Sequence, residues 1–147
     1  MATRTKVRQT IMEILYGFDM GNVLSISDLD EVINEQNIKN DKKEFAQELI
    51  YGVIENMENI DKTIDKYLID WDFYRLGYIE RAIFRLGTYE ISYQGNSGAI
   101  VINELLSLSR KYCDPKSTSF INGVLNSIYQ ATKEKYITKK PTIWNYA

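Results

Sequence analysis

Apolar side chains recur through this chain at helical spacing and almost nowhere with the alternation of a strand. Val7, Ile11, Ile14, Leu15 and Phe18 fall at i, i+4, i+7, i+8 and i+11, one face of a helix. Gly21-Asn22 stops that helix, and Ser27 has the character of an N-cap for the next. Behind it come Leu29, Val32 and Ile33, with Asp28, Asp30 and Glu31 in the first turn, where the helix dipole favours acids. A polar stretch from Asn37 to Lys43 leads to Phe45, Leu49, Val53 and Ile54, and after a break near Asn59 the period resumes with Ile60, Ile64, Tyr67 and Leu68. Leu76, Ile79, Ile83 and Leu86 form another stripe, followed by a loop over Gln94–Gly98. Val101, Ile102, Leu105, Leu108 and Tyr112 form the next, ended by Asp114-Pro115. Ser117 or a neighbour caps the last helix, which carries Ile121, Val124, Leu125 and Ile128. Six or seven helices with short connections predict an all-α bundle. From about Thr138, past Pro141, the chain reads as a tail, although Ile143, Trp144 and Tyr146 are apolar enough to dock.

A chain of 147 residues supports one domain with a substantial core. It contains no histidine, which removes Ser/His and Cys/His triads, an imidazole base and every histidine-based metal site. Its one cysteine, Cys113, allows no internal disulfide and no CxxC motif, which fits a reduced, cytoplasmic compartment. No phosphate-binding loop, G-x-G-x-x-G or H-E-x-x-H sequence is present. Acid pairs such as Asp61/Asp65 and Glu44/Glu48 are what solvated faces of acid-rich helices produce. No catalytic group, metal site or cofactor is therefore expected. The longest apolar run, Ala99–Ile102, falls far short of the roughly 18 residues of a membrane span. The basic N-terminus is interrupted by Glu13 and lacks a small-residue cleavage site, so a soluble, unprocessed protein is expected.

The net charge of −2 conceals a segregation. Residues 1–12 sum to +3 through Arg4, Lys6 and Arg8, residues 110–147 sum to +5, and the middle, 13–109, sums to −10. Two basic ends around an acidic centre suit one surface for a polyanion and another for a basic partner; Lys-rich ends that only solvate the chain give the same sums. Arg4, Lys6 and Arg8 sit in the first turns of the opening helix, where cations oppose the dipole, and such a cluster beside free N–H groups suits phosphate. Lys116, Ser117 and Thr118 repeat the pattern at the start of the last helix. Phe120 flanks the apolar stripe there, placed either to stack an unpaired base or to fill the core.

Glu90 falls in the middle of the stripe of Leu76, Ile79, Ile83 and Leu86, so it is expected to be buried and paired, with Arg or with donors from a neighbouring helix. Glu80 lies off that stripe, free to meet a partner. Arg81 and Arg85 share the opposite face, either turned to phosphates or solvated with i, i+4 pairing. Asn122-Gly123 interrupts no period, and a glycine inside a helix costs about 1 kcal/mol relative to alanine. A close helix–helix approach at Gly123, bridged by Asn122, is the expected reason.

These segments resemble the NusB family of bacterial transcription antitermination factors. The matching stretches run in the family's order: Arg8 to Tyr16, Phe45 through Gly52-Val53, Ile60-Asp61 to Tyr67-Leu68, Arg75-Leu76, Ile79 to Ile91, Ile102-Asn103-Glu104, and Phe120 to Leu125. The resemblance implies a three-helix N-terminal half over about 1–58 and a four-helix C-terminal half over about 59–137, with a tail at 138–147. It implies a non-enzymatic role in the RNA polymerase antitermination complex of ribosomal RNA operons, binding single-stranded boxA RNA together with NusE, a basic small-subunit ribosomal protein. Carried over residue by residue, the RNA surface falls on Arg4, Lys6, Arg8, Tyr67, Arg85, Lys116, Ser117 and Phe120, and the partner surface on Tyr16 and Glu80. This chain departs from many relatives in a less Arg-rich first helix, in a loop before Ile100 that lacks proline, and in its longer tail. Two other expectations compete: a detached RNA-targeting module for ribosomal RNA processing or methylation, and a helical homodimer to which RNA is incidental.

Overall fold

The computed structural model describes residues 3–21 and 26–144, with the side chains of Ile26 and of 136–144 left out. Among these residues the fold is all-helical: α1 (Arg4–Asp19), α2 (Ile26–Glu35), α3 (Asp41–Glu55), α4 (Met57–Tyr67), α5 (Tyr78–Thr88), α6 (Gly98–Tyr112) and α7 (Pro115–Trp144). A 3-10 turn, Phe73–Arg75, precedes α5, and a π-turn, Tyr89–Tyr93, continues it.

The periodic stripes become one core. Val7, Ile11 and Leu15 of α1 are fully buried, as are Leu49 and Val53 of α3, Ile60 and Ile64 of α4, and Ile121 and Leu125 of α7. Fully burying an aliphatic side chain of this kind contributes roughly 1.5–3 kcal/mol. Helix α5 lies at the centre, packed against α1, α4, α6 and α7, with every residue from Arg81 to Thr88 buried. The core is continuous across the boundary expected near residue 58, which falls beside the kink at Asn56 between α3 and α4.

The glycines show where helices come closest. A β-carbon at Gly87 would meet Leu105 and Leu125 side chains at 2.9 Å, and one at Gly98 would collide with the Tyr129 ring. Gly123 is different: it is exposed, and nothing lies within 4 Å of where its β-carbon would be. The close approach expected at Gly123 is absent, and Asn122 bonds along its own helix to Asn126. Two boundaries also differ from expectation. Helix α2 begins at Ile26, so Ser27 lies inside it and is not its cap. Helical backbone continues to Trp144, through the stretch read as a tail from Thr138, while Tyr146 lies outside the described residues.

Candidate nucleic-acid interface

Basic residues at the start of α1 divide between the two sides of the helix. Thr3 caps it, accepting the Lys6 N–H at 3.1 Å. Arg4 is exposed and lies over the Phe45 ring at 4.4 Å from its centroid, a cation–π contact. Two residues on, Lys6 points about 160° away at 3.6 residues per turn. It shares a stripe with Gln9 and Glu13, and the Gln9 amide donates to the Tyr112 hydroxyl at 3.0 Å. Thr5 donates to Glu104 at 2.6 Å, so α1 and α6 lie side by side in the same direction.

This pairing brings the start of α1 beside the α6–α7 corner. Tyr112 closes α6, and Ser109, one turn earlier, hydrogen-bonds Thr118 of α7 at 2.7 Å. Between them Asp114 acts as the N-cap of α7, taking the Ser117 N–H at 2.7 Å, with Pro115 at the first helical position. The amide and hydroxyl of Ser117 hold the Asp114 carboxyl below the usual carboxylate range. A phosphate at this helix start, as expected from Lys116-Ser117-Thr118, meets a carboxylate already in place on the Ser117 amide. The Lys116 side chain, by contrast, is exposed. Phe120 is half-buried, its ring edge-on to the fully buried Phe84 at 5.9 Å. Its ring therefore belongs to the core margin and still meets solvent next to Lys116.

The expectation for Arg8 and Arg85 as phosphate ligands is corrected by burial. Arg8, 3% exposed, is bound bidentately to Glu90: Nε donates to Oε2 at 2.8 Å and Nη2 to Oε1 at 2.7 Å. Asn96 adds a third bond to the same carboxylate at 3.1 Å. Burial alone lowers the guanidinium pKa, but the hydrogen bond and charge of Glu90 outweigh it and raise the value. Glu90 is thus buried and paired with an arginine, as its place in the apolar stripe requires.

Arg85 donates Nε and Nη2 to Asp61, both at 2.8 Å, and Nη1 to Asp19 at 2.9 and 3.0 Å, tying α5 to α4 and to the end of α1. Burial opposes its charge and these two carboxylates restore it, so its pKa too is raised. Arg81, also buried, donates to the Tyr74 and Leu76 carbonyls and lies near the Tyr74 and Tyr78 rings. Neither arginine lines a solvated face or offers its guanidinium to phosphate, because α5 has helices on every side.

Tyr67 stands apart from the Lys116–Phe120 corner, half-buried at the end of α4 with Lys66 5.7 Å from its ring centroid. Of the two residues carried over as a partner surface, Tyr16 reaches the first turn of α5 through Tyr78, and Glu80 lies in that same turn. Tyr16 is exposed and packs edge-on against Tyr78 at 6.2 Å, while Glu80, in the same first turn of α5 as Tyr78, reaches back toward the Gly77 N–H at 3.4 Å. Tyr78, Tyr74 and Phe18 are exposed around them, an apolar patch of the kind that marks an interaction surface. Tyr74 and Tyr78, one helical turn apart just ahead of Glu80, are the sequence signal for this surface. The contact of Arg4 with Phe45 left none, since it depends on how α1 crosses α3.

Among the described residues no group of three or more potential ligands is placed to hold a metal ion, and no helix is long and apolar enough to cross a membrane. The Cys113 thiol is raised by burial, the opposite of an activated nucleophile.

Residues 5–130 match the model of the NusB family. Over 128 residues the chain is 44% identical to the transcription antitermination protein NusB of Wolinella succinogenes, covering 87% of this chain and 95% of that one. It is 40% identical over 141 residues to the same protein of Helicobacter pylori strain 26695, covering 96% and 99%. Among solved structures it is similar to a crystal structure of the antitermination factors NusB and NusE in complex with dsRNA. There the TM-score is 0.78 at 36% identity, with 87% of this chain and 96% of that one covered. The solution structure of NusB from Aquifex aeolicus gives a TM-score of 0.73 at 37% identity, covering 95% and 93%.

Proposed function

The chain belongs to the NusB family, and on that premise we propose that it is a transcription antitermination factor that binds boxA RNA of ribosomal RNA operons together with NusE. The observation that carries the RNA part is the corner at the start of α7. A core-anchored aromatic, Phe120, keeps part of its ring in solvent beside the exposed Lys116, and hydrogen bonds through Ser109–Thr118 and Tyr112–Gln9 set this corner next to the Lys6 stripe of α1. Cations that hold phosphates and a ring that stacks a base are the two parts of a single-strand site. Arg4, exposed on the Phe45 ring, adds charge on the far side of α1. Ser117 positions this corner through Asp114, and Arg8 and Arg85 hold the fold beneath the surface.

NusE docks around the start of α5, where the exposed Tyr16–Tyr78 pair and the nearby Glu80 carboxylate suit a basic protein. The function is binding, exercised in the cytoplasm within the RNA polymerase antitermination complex, and a homodimer covering the RNA face is the competing assembly. The solved relative with NusE holds double-stranded RNA, so the test compares both forms. Single-stranded boxA-like RNA and its duplex are titrated against the parent and against Lys6→Glu/Lys116→Glu, with and without NusE. The reading expects preference for the single strand, enhancement by NusE and a large loss on charge reversal. Equal affinity of the charge-reversed protein for RNA overturns it.

A further inference from the structure

We propose that the cleft between α4, the π-turn and α7 is a second nucleobase subsite on the same RNA strand; the proposal rests on the RNA-binding reading above. The cleft has a volume of about 360 Å³ and is lined by Thr63 and Tyr67 of α4, Ser92 and Tyr93 of the π-turn, and Ala131, Thr132 and Lys135 of α7, over the buried Ile128. Family likeness supplies Tyr67 alone; the other members come from how this chain packs.

Its chemistry is that of a base site. Tyr93 is 43% exposed and stacks on Tyr89, with centroids 5.5 Å apart and ring planes at 21°, so a planar heterocycle entering the cleft extends a stack already begun. Tyr67 supplies a second ring. The Thr132 hydroxyl donates to the Ile128 carbonyl at 2.9 Å and accepts from Ser92 at 3.0 Å at an exposed position, so the Ser92 hydroxyl is the one that can turn to a base edge. Lys135 at the rim, with Lys66 beside Tyr67, supplies positive charge for the phosphates.

Its position continues the first site. Ala131 is eleven residues beyond Phe120, which places it about 16 Å further along α7 and within about 20° of the same face. A strand stacked on Phe120 that follows this face therefore arrives at the cleft. The face between them carries Gly123 and Ser127, and Gly123 has no packing reason to be glycine, since open space surrounds the position of its missing β-carbon. A nucleotide backbone running close to the helix accounts for that residue.

The test uses the full chain and two single-stranded RNAs, a short boxA-like oligonucleotide and one extended by several nucleotides at both ends. Tyr93→Ala is expected to weaken binding of the extended RNA by about 5- to 150-fold, the range for losing one base stack, and to leave the short RNA unaffected. Tyr93→Phe retains the affinity, and Lys135→Ala flattens the log–log salt slope by about 0.7. Melting temperatures of all variants verify the fold. Unchanged affinity of Tyr93→Ala and Lys135→Ala for the extended RNA, while Phe120→Ala still loses it, overturns the subsite and leaves the RNA function standing. Loss of NusE binding in RNA-free Tyr93→Ala makes the cleft a protein-docking face and equally overturns it. No RNA binding by the parent overturns both.

Discussion

Removing the Arg8 guanidinium separates a structural from an RNA-contacting role. The Arg8–Glu90 pair is enclosed, with side-chain exposures of 4% and 0% and two hydrogen bonds of 2.7 and 2.8 Å. Arg8→Ala leaves the Glu90 carboxylate in the core with Asn96 as its remaining side-chain donor. Breaking a buried pair on one side costs about 3–5 kcal/mol. For a domain near 150 residues, each kcal/mol moves the melting temperature by about 2–4 °C, so a fall of roughly 6–20 °C is expected by circular dichroism. The double variant Arg8→Met/Glu90→Leu removes both charges and recovers most of the loss, because an apolar pair of similar volume carries no desolvation cost. RNA affinity of the double variant, measured well below its melting temperature, stays near the parent value. An Arg8→Ala protein that melts within 2 °C of the parent while losing RNA would refute the reasoning.

Two glycines on neighbouring helices give opposite outcomes in the same denaturation assay. Gly123→Ala stabilises the fold by about 0.5–1 kcal/mol, since the methyl enters open space in a helix, whereas Gly87→Ala drives a β-carbon against Leu105 and Leu125 and destabilises by about 1–3 kcal/mol. Asp114 has its pKa depressed by the Ser117 amide and hydroxyl. Its contribution is present above the unfolded-state pKa and is lost as pH falls through the folded value. Asp114→Ala thus melts lower than the parent at pH 7, and the two curves converge in acid. Phe120→Ala is expected to weaken single-strand binding by about 1–3 kcal/mol in a fluorescence-anisotropy titration.

Which parts of this account were legible in the sequence follows from what each feature depends on. Helix number and the core faces depend on local periodicity, and Val7 to Phe18 or Ile121 to Ile128 already contain it. Glu90 was legible as a buried carboxylate because it lies mid-stripe on its own helix. Its partner was not, since Arg8 is 82 residues away and meets it only through the packing of α1 beside the π-turn. The burial of Arg81 and Arg85 is invisible in the sequence for the same reason. A helical wheel shows a polar face on α5, but helices on all sides bury it, and Asp19 and Asp61 arrive from two of them. The near-continuous apolar run Ala82-Ile83-Phe84 was the available hint of a central helix. The Asp114 cap was also available, because aspartate before proline is a helix-start signature. Basic residues toward both ends signalled a polyanion surface, but sequence alone could not separate the half-exposed Lys6 and the exposed Lys116 from the guanidiniums that tertiary packing encloses.

Photo-cross-linking of single-stranded boxA-like RNA to the protein in the presence of NusE, with the adducted residues mapped by mass spectrometry, locates the RNA surface. Adducts are expected at the start of α7, on Phe120 and its neighbours beside Lys116, and along the Lys6 stripe of α1. Adducts confined to the Tyr16–Tyr78 face, or spread without preference over both ends of the molecule, would contradict that placement.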